Sequence, residues 1–563
     1  MKIKHTAIQL LKTRQLWYVE TFAAPDPIDF TIADGFWYQN TQVERQQIPL
    51  GDNMTMLIYD LWQGFHPDSF AALCGCVIGG GSIMLLGPPL AQLHLFQDPS
   101  YNTMSTWPKI CPLDTHYLAR LQVSLQVLIK QDHCQRCKAQ DHGQLQNLLT
   151  QVTSTLNPAH TCSPEPLRPT IEQNRFIDAI LQALQQLNPA NSQPWYSLFA
   201  NRGFGKTACL GLVIKHIFEQ QRTPLIMTYV TRHKTQRQSF VAQFTHLLNR
   251  SSCLQLTATS LEGLEHQRHA VPWLIMIDEC ATNNKQQLER TLQMLNAHTA
   301  IVILASSIDG YEGSAKHLLQ IKTPRPLLQQ HLTQPLRWPA HDPVARWMQD
   351  FFYVATPTAS TQHLSSAKIL QPFDQSQLTI QQVDVKFLLQ HNRLQAWVEL
   401  MNLAHYRTRP SDVRLMLDAP HQRFIVMMLN SKLIGGLWLS HEGPIPDHFI
   451  RDITQGRRRI KGHLAPQYAF NHGILHGLTH AWVRIVRIAI NPDYQRQSLG
   501  TVLVQYCIEQ HCSEQSPTDT LAVSFQPSVR LDNFWHRNNF AKLTDSFCIY
   551  RKAPAVDYER LID

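Results

Sequence analysis

The sequence predicts an α/β multidomain chain, with an α/β layer, then a strand–helix unit built on a parallel sheet, then a mixed α+β unit. Three observations carry that expectation. At 563 residues the chain is too long for one core, and ordinary domain sizes imply three or four. From about Thr170 to residue 355, short apolar runs alternate with helical stretches, as a parallel sheet with crossover helices requires. Beyond it, Arg423 to Met428 and Leu433 to Leu439 read as neighbouring strands turning through Asn430-Ser431, which breaks the pattern.

The bulk numbers narrow the class. A hydrophobic content of 44% supports packed domains. No apolar run reaches the roughly 18 residues that crossing a bilayer takes, and Met1-Lys2-Ile3-Lys4-His5 opens no signal-peptide pattern. A soluble, cytoplasmic protein with no membrane partner is expected. Twelve scattered cysteines fit reduced thiols better than a disulfide framework. Cys134 and Cys137, with His133 and His142 nearby, form a candidate part of a metal site, although no second cysteine pair lies close. A net charge of +8 is compatible with a polyanionic partner and identifies none.

The first unit, residues 1–165, has candidate strands Met54 to Asp60 and Ser82 to Leu86 around a helix at Phe65 to Leu73, with Asp68 or Ser69 near its start. Gly79-Gly80-Gly81 is expected to end a helix and turn the chain. From about 140 to 170 the Gln, Thr, Ser and Pro content suits a linker or surface excursion.

The second unit, residues 166–355, opens near Thr170 with candidate strands Trp195 to Phe199, Leu225 to Val230, Trp273 to Ile277 and Ala300 to Ala305. After the first comes Arg202-Gly203-Phe204-Gly205-Lys206-Thr207, leading into a helical stretch through Ala208, Cys209, Leu210 and Gly211. That is a phosphate loop: glycines let backbone N–H groups approach phosphate oxygens at a helix N-terminus, Lys206 reaches the β and γ phosphates, and Thr207 holds Mg²⁺. Ala200 stands where the usual pattern has its first glycine. Asp278-Glu279 closes an apolar strand 72 residues after Lys206 and supplies the metal-coordinating and water-activating carboxylates of an ATP site. Gln173 is a candidate reader of adenine, against the plain alternative of a surface glutamine. Arg337 is a candidate γ-phosphate sensor, against a structural ion pair.

The third unit, residues 356–552, precedes a short tail at 553–563. Its helical stretches are Val385 to Leu400, Asp412 to Leu417 and Leu499 to His511, and its later strands Val483 to Ile490 and Leu521 to Phe525. Ile488, Ala489 and Ile490 followed by Gln495, Arg496, Gln497, Ser498, Leu499, Gly500 and Thr501 fit the acetyl-CoA site of a GNAT-type acetyltransferase. There an opened strand pairs with pantetheine amides, and a turn at a helix N-terminus cradles the pyrophosphate. Ser498 puts a Cβ where that cradle usually has glycine. Arg457-Arg458-Arg459-Ile460-Lys461 is either a solvated loop or a grip on RNA phosphates.

Together with Gly310-Tyr311-Glu312-Gly313, Pro335-Leu336-Arg337-Trp338, Ala404 to Asp412, Gly436 to Leu439, Arg487 to Ile490, Ser524-Phe525 and Phe534 to Arg537, these motifs occur in one order. In that order the chain resembles the bacterial tRNA(Met) cytidine acetyltransferases and the wider RNA cytidine acetyltransferase family, up to about residue 550. The resemblance implies an N-terminal Rossmann-like α/β domain, a P-loop helicase-like ATPase domain with a parallel sheet and a GNAT-type α+β domain. It implies ATP-dependent formation of N4-acetylcytidine at the wobble position of elongator tRNA(Met), with acetyl-CoA as donor. It also implies ATP contacts from Gln173, the 202–211 region and Arg337, and a CoA contact from Arg537. Departures from the family pattern are Ser498, Gln526, Arg530 and Asn539, and a chain that stops at Asp563 before the helical tail of longer relatives, so a different or weaker tRNA grip is expected.

Cytosine N4 is barely basic, so transfer depends on alignment and on proton removal in the same step. Backbone N–H groups near Ile488 to Ile490 would polarise the thioester carbonyl, and His472 is the candidate proton acceptor against a plain surface histidine. Two rival functions remain open: a protein N-acetyltransferase with a regulatory ATPase, and an RNA-remodelling ATPase whose GNAT unit has become a binding module.

Overall fold

The computed structural model describes residues 12–23, 35–38, 53–101, 115–156, 169–187, 193–220, 223–232, 234–248, 253–269, 271–280, 283–307, 309–310, 313–314, 321–353, 375–390, 393–404, 409–458, 463–512, 519–525 and 527–550. Three main sheets organise them. The first holds β1 (Gln15–Thr21), β2 (Gly35–Tyr38), β3 (Met54–Asp60), β4 (Val77–Gly87) and β5 (Cys134–Ala139) in the order β2-β3-β4-β1-β5, every pairing parallel. Between β3 and β4 runs the helix Pro67–Cys74, with Pro67 in its first turn, where a missing N–H costs nothing.

The glycine run does not turn the chain. Gly79, Gly80 and Gly81 lie inside β4, where bare backbone is needed for close approach: Gly79 N–H donates to the Arg337 carbonyl at 2.6 Å and Gly80 N–H to that of Thr13 at 3.3 Å. Nor is 140–170 all linker. His142–Thr155 is a helix whose Leu145, Leu149 and Val152 fall on one buried face, a spacing obscured by the surrounding Gln and Thr. Residues 157–168 lie outside the described residues.

The second sheet adds β6 (Trp195–Ala200), β7 (Leu225–Val230), β8 (Leu254–Thr259), β9 (Trp273–Ile277), β10 (Ala300–Ser306) and, after the short antiparallel pair β11 (Asp309–Gly310) and β12 (Gly313–Ser314), β13 (Leu327–Leu332). Its order is β13-β6-β10-β9-β7-β8, again all parallel. Separate buried clusters cover its two faces, one around Leu198, Met227 and Met276, the other around Phe199, Ile275 and Leu304. Because β10 alone separates β6 from β9, the carboxyl ends of those two strands open on the same edge.

The third sheet comprises β14 (Leu378–Val383), β15 (Gln422–Leu429), β16 (Lys432–Glu442), β17 (Ala481–Ile490), β18 (Asp519–Ser524), β19 (Phe540–Thr544) and β20 (Phe547–Tyr550), ordered β14-β15-β16-β17-β18-β20-β19. Every pairing is antiparallel except β17 with β18. Asn430 (φ 47°) and Ser431 (φ 66°) make the expected hairpin turn in the left-handed region. The stretch Val385 to Leu400 is two helices, Val385–Leu388 and Arg393–Ala404. One buried cluster joins Phe70, Tyr117, Trp347, Trp397 and Trp438, so the first and third sheets share a core.

Candidate functional site

At the end of β6 the chain turns through Asn201 to Gly205 and enters the helix Lys206–Gln220. Gly203 (φ 84°) and Gly205 (φ 79°) occupy the left-handed region that favours glycine. Neither has room for a side chain. A Cβ on Gly203 would lie 2.6 Å from Cη2 of Trp338, and one on Gly205 would collide with Cδ1 of Leu336. The segment from Leu336 to Trp338 clasps the loop, since the N–H groups of Leu336 and Arg337 both donate to the Gly203 carbonyl, at 2.8 and 3.2 Å.

Around that loop the polar side chains converge on one carboxylate. Thr207 Oγ1 donates to Asp278 Oδ2 at 2.8 Å, and Lys206 Nζ sits 3.5 Å from Asp278 Oδ1 and 3.4 Å from Ser307 Oγ. Tyr229 Oη also donates to Asp278 Oδ2, at 3.0 Å, while Glu279 N–H donates to Oδ1 at 2.9 Å. Asp278 is buried, and a buried carboxylate is tolerated only when so paired. A hydroxyl and a carboxylate side by side are hard oxygen donors that suit Mg²⁺. Glu279 follows with φ 50°, a sparsely populated conformation for a side-chain-bearing residue.

Gln173 is not a surface residue. It is buried at the third position of the helix Ile171–Gln185; its Oε1 accepts from Thr170 N–H at 2.9 Å, and its Nε2 donates to the Gly205 carbonyl at 3.2 Å. Phe204, Cys209 and Leu210 anchor the loop and its helix in the core, Ala208 fills out the first turn, and Gly211 lies against Phe244. Burial pushes the Cys209 thiol up to about 12, so it is no nucleophile. The two loop arginines reach the first sheet's unit: Arg337 Nη1 donates to the Gly75 carbonyl at 2.7 Å, and Arg202 Nη2 approaches Cys76 Sγ at 3.7 Å.

In the third sheet β17 stays paired with β16 as far as Ile490 opposite Gly435, but its pairing with β18 ends at Ile485 opposite Val523. A bulge falls at the same level: Trp438 faces Arg487 while Leu439 faces Ile485. Ile488, Ala489 and Ile490 therefore form the edge that opens beside β18. Gln495 Nε2 donates to the Ile490 carbonyl at 2.9 Å, tying the turn to that edge. The turn then runs through Arg496 (φ 63°), Gln497 and Ser498 (φ 60°) into the helix Leu499–His511, where Leu499 is buried and Thr501 half-buried. Ser498 thus carries its side chain in a backbone shape made for glycine. A Cβ on Gly500 would lie 3.3 Å from Cε2 of Phe534, and Arg537, three residues on from Phe534, shares its helix face and is exposed.

Other candidates scatter. Arg457 pairs with Asp452 at 2.7 Å and Arg458 lies 3.9 Å over the Phe449 ring, both exposed, while Arg459 and Lys461 fall outside the described residues. His472 ends the helix Leu464–Asn471 with Nδ1 2.8 Å from the Tyr468 carbonyl, which makes Nδ1 the donor and leaves Nε2 as an acceptor. It is exposed, and no described contact joins it to Ile488–Ile490. Cys134 and Cys137 lie three apart on β5, an odd spacing that sends them to opposite faces. Among the described residues no group of three or more His, Cys, Asp or Glu is placed to hold a metal ion. Tyr229 and Ser307 were invisible to motif reading, because nothing in their local sequence marks them.

A P-loop sheet carrying an Asp278-centred site, joined to a sheet that splays beside a bulge, defines the class: a helicase-like nucleotide-binding module with a GNAT fold. Three domain models match in chain order: "tRNA(Met) cytidine acetyltransferase TmcA, N-terminal" at residues 10–129, "RNA cytidine acetyltransferase NAT10/TcmA, helicase domain" at 197–355, and "GNAT acetyltransferase 2" at 396–520. In that order the parts of the chain are similar to the domains of RNA cytidine acetyltransferases. It is 28% identical over 525 residues to a tRNA(Met) cytidine acetyltransferase TmcA of Nitrosococcus halophilus, covering 87% of this chain and 65% of that one. To the TmcA of Idiomarina loihiensis it is 25% identical over 544 residues, covering 95% and 76%. The chain thus spans just under two thirds of the first relative's length. Among the described residues no helix is long and apolar enough to cross a membrane.

Proposed function

We propose that the chain catalyses ATP-dependent N4-acetylation of cytidine at the wobble position of elongator tRNA(Met), in the cytoplasm, with acetyl-CoA as donor. The observation that carries the proposal is the opening of β17 from β18 at Ile485, in the same chain as the Thr207–Asp278 pair. The units would be 1–165, 166–355 and 356–552, followed by 553–563. The ATP site would comprise Gln173, the 202–211 loop and helix start, Asp278, Glu279 and Arg337. Mg²⁺ held by Thr207 and Asp278 would neutralise phosphate charge.

Acetyl-CoA would lie along Ile488–Ile490, with its pyrophosphate at Gln495 to Thr501 and Arg537 beside it. N4 of cytidine attacks the thioester carbonyl, its proton passes to a base, and the CoA sulfur leaves as thiolate. Backbone N–H groups at the open edge stabilise the developing oxyanion. His472 is the proposed acceptor, its Nε2 lone pair fixed by the Nδ1 bond to Tyr468. Arg457, Arg458, Arg459 and Lys461 would hold RNA phosphates. Extracting a stacked base costs a few kcal/mol, a task for the ATPase module. The test is incubation with acetyl-CoA, ATP and total tRNA, followed by nucleoside mass spectrometry. N4-acetylcytidine appearing only with ATP is expected, and acetyl-CoA binding with no modified nucleoside on any RNA would sink the proposal.

A further inference from the structure

One short helix touches both candidate sites. At its C-terminal end, the Gly75 carbonyl accepts from Arg337 Nη1 at 2.7 Å, and a Cβ on Gly75 would lie 2.7 Å from Cδ of Arg202. The Cys74 carbonyl there accepts from Arg14 Nη1 at 2.7 Å, and the Arg14 guanidinium lies 3.9 Å over Trp338, the ring packed on Gly203. Three contacts, with Arg337, Arg202 and Arg14, thus seat this end on the phosphate loop and its clasp.

At the other end of the same helix, the Asp68 carboxylate accepts from Ser411 N–H at 2.9 Å and Ser411 Oγ at 2.8 Å. Ser411 is the second residue of the helix Pro410–Asp418, and its neighbour Asp412 pairs through Oδ2 with Arg487 Nη2. Arg487 is buried on β17, at the bulge and immediately before Ile488. Pro67–Cys74 has 8 residues, a rigid rod of about 12 Å. The path from the phosphate loop to the opened strand is therefore continuous: Arg337 bonds to Gly75, the helix leads to Asp68, Asp68 bonds to Ser411, and the next residue, Asp412, pairs with Arg487.

We propose that the helix Pro67–Cys74 couples the two sites, with Asp68 as the positioning residue through which occupancy of the phosphate loop sets the acetyl-CoA edge at Arg487–Ile490. The proposal rests on the functional reading above. Its physical basis is that a rod held by hydrogen bonds at both ends passes a small shift along its length. Coupling of this kind is a difference in affinity and must be reciprocal.

The experiment measures acetyl-CoA affinity by calorimetry with and without a non-hydrolysable ATP analogue, and analogue affinity with and without acetyl-CoA. In the unaltered protein each ligand is expected to shift the other by the same factor, about fivefold or more. In Asp68→Ala the factor should fall below about twofold while each ligand alone still binds, and Ser411→Ala, which deletes only the hydroxyl, should lie between. Tyr101→Phe is the control. It removes a 2.6 Å bond to Asp418 at the interface of the same two units, but off the path, and should keep the full shift. Binding of both ligands without mutual effect overturns the coupling alone, as does a Tyr101→Phe loss equal to that of Asp68→Ala. Failure of the unaltered protein to bind either ligand overturns the functional reading and the coupling with it.

Discussion

Thr207 Oγ1 and Asp278 Oδ2 lie 2.8 Å apart, joining the first turn of the phosphate-loop helix to the end of β9. The pair forms because β6 and β9 flank β10 in parallel, so their carboxyl ends share one edge. Lys206 adds its charge to the same carboxylate at 3.5 Å. Removing Lys206 (Lys206→Ala) or neutralising the carboxylate (Asp278→Asn) should lower ATP hydrolysis by about 100-fold or more, the scale of losing one preorganised electrostatic contact. Steady-state phosphate release measures it. Unchanged turnover in either variant would refute the assignment of this edge as the ATP site.

Tyr229 also holds Asp278, donating to Oδ2 at 3.0 Å, and its ring stacks on Phe240 with centroids 3.8 Å apart. Tyr229→Phe keeps the stack and deletes one hydrogen bond to a charged group, worth about 1.5–3 kcal/mol. The expected result is ATPase activity reduced by about tenfold or more at limiting Mg²⁺, with much of it recovered at high Mg²⁺. Equal loss at all Mg²⁺ concentrations would show that Tyr229 does not act through Asp278.

The ATP half of this arrangement was legible because its chemistry is local. Gly203, Gly205, Lys206 and Thr207 must lie within a few residues of one another to wrap a phosphate, and the largely apolar runs Leu225–Val230 and Trp273–Ile277 match strands end to end. The same local logic failed at Gly79 to Gly81, where glycine serves close backbone approach to Arg337, a partner more than 250 positions away. It failed again at His142–Thr155, where three buried residues are diluted by polar ones. Asp68 and Ser411 are separated by 343 positions, and neither has a neighbour that announces the other. Contacts set by tertiary packing leave no periodic trace in sequence.

Gly205 tests the clasp over the loop. Its φ of 79° and the Leu336 methyl against it both exclude a Cβ. Gly205→Ala should cost about 1–2 kcal/mol from the left-handed backbone alone, with further loss from displacing Leu336. Thermal unfolding should fall by several degrees and nucleotide affinity by about tenfold or more. A variant that binds ATP normally would mean the loop opens freely from Leu336.

Ser498 makes the opposite case, because there the glycine is missing. At φ 60° a side-chain-bearing residue pays about 1 kcal/mol, while glycine would lose about 0.4–1 kcal/mol through the freer unfolded chain. These nearly cancel, so Ser498→Gly should barely change the unfolding temperature. Acetyl-CoA affinity should nonetheless rise several-fold, since the substitution clears the turn that would cradle the pyrophosphate. Calorimetric titration beside thermal unfolding separates the two effects, and a stability gain with unchanged affinity would place Ser498 outside the cradle.

Asp418 sits where the first and third sheets share their core, accepting from Tyr101 Oη at 2.6 Å and Tyr117 N–H at 2.9 Å, with Arg414 Nε 3.8 Å away. Burial pushes its carboxyl up to about 6, outweighing the hydrogen bonds and Arg414, which pull the other way. The folded protein therefore holds this proton more tightly than the unfolded chain, whose carboxyl titrates near 4. Its contribution to stability is fully present below about 4 and is lost as pH rises through 6, a difference on the order of a few kcal/mol. Asp418→Asn removes the titration and keeps an acceptor for one of the two donors. Urea unfolding of both proteins at pH 4.5, 5.5 and 7.5 should show the variant gaining on the unaltered protein as pH rises, with the larger part of the change between the two lower values. A gap constant across that range would mean Asp418 stays ionised in the core, with Arg414 prevailing over burial.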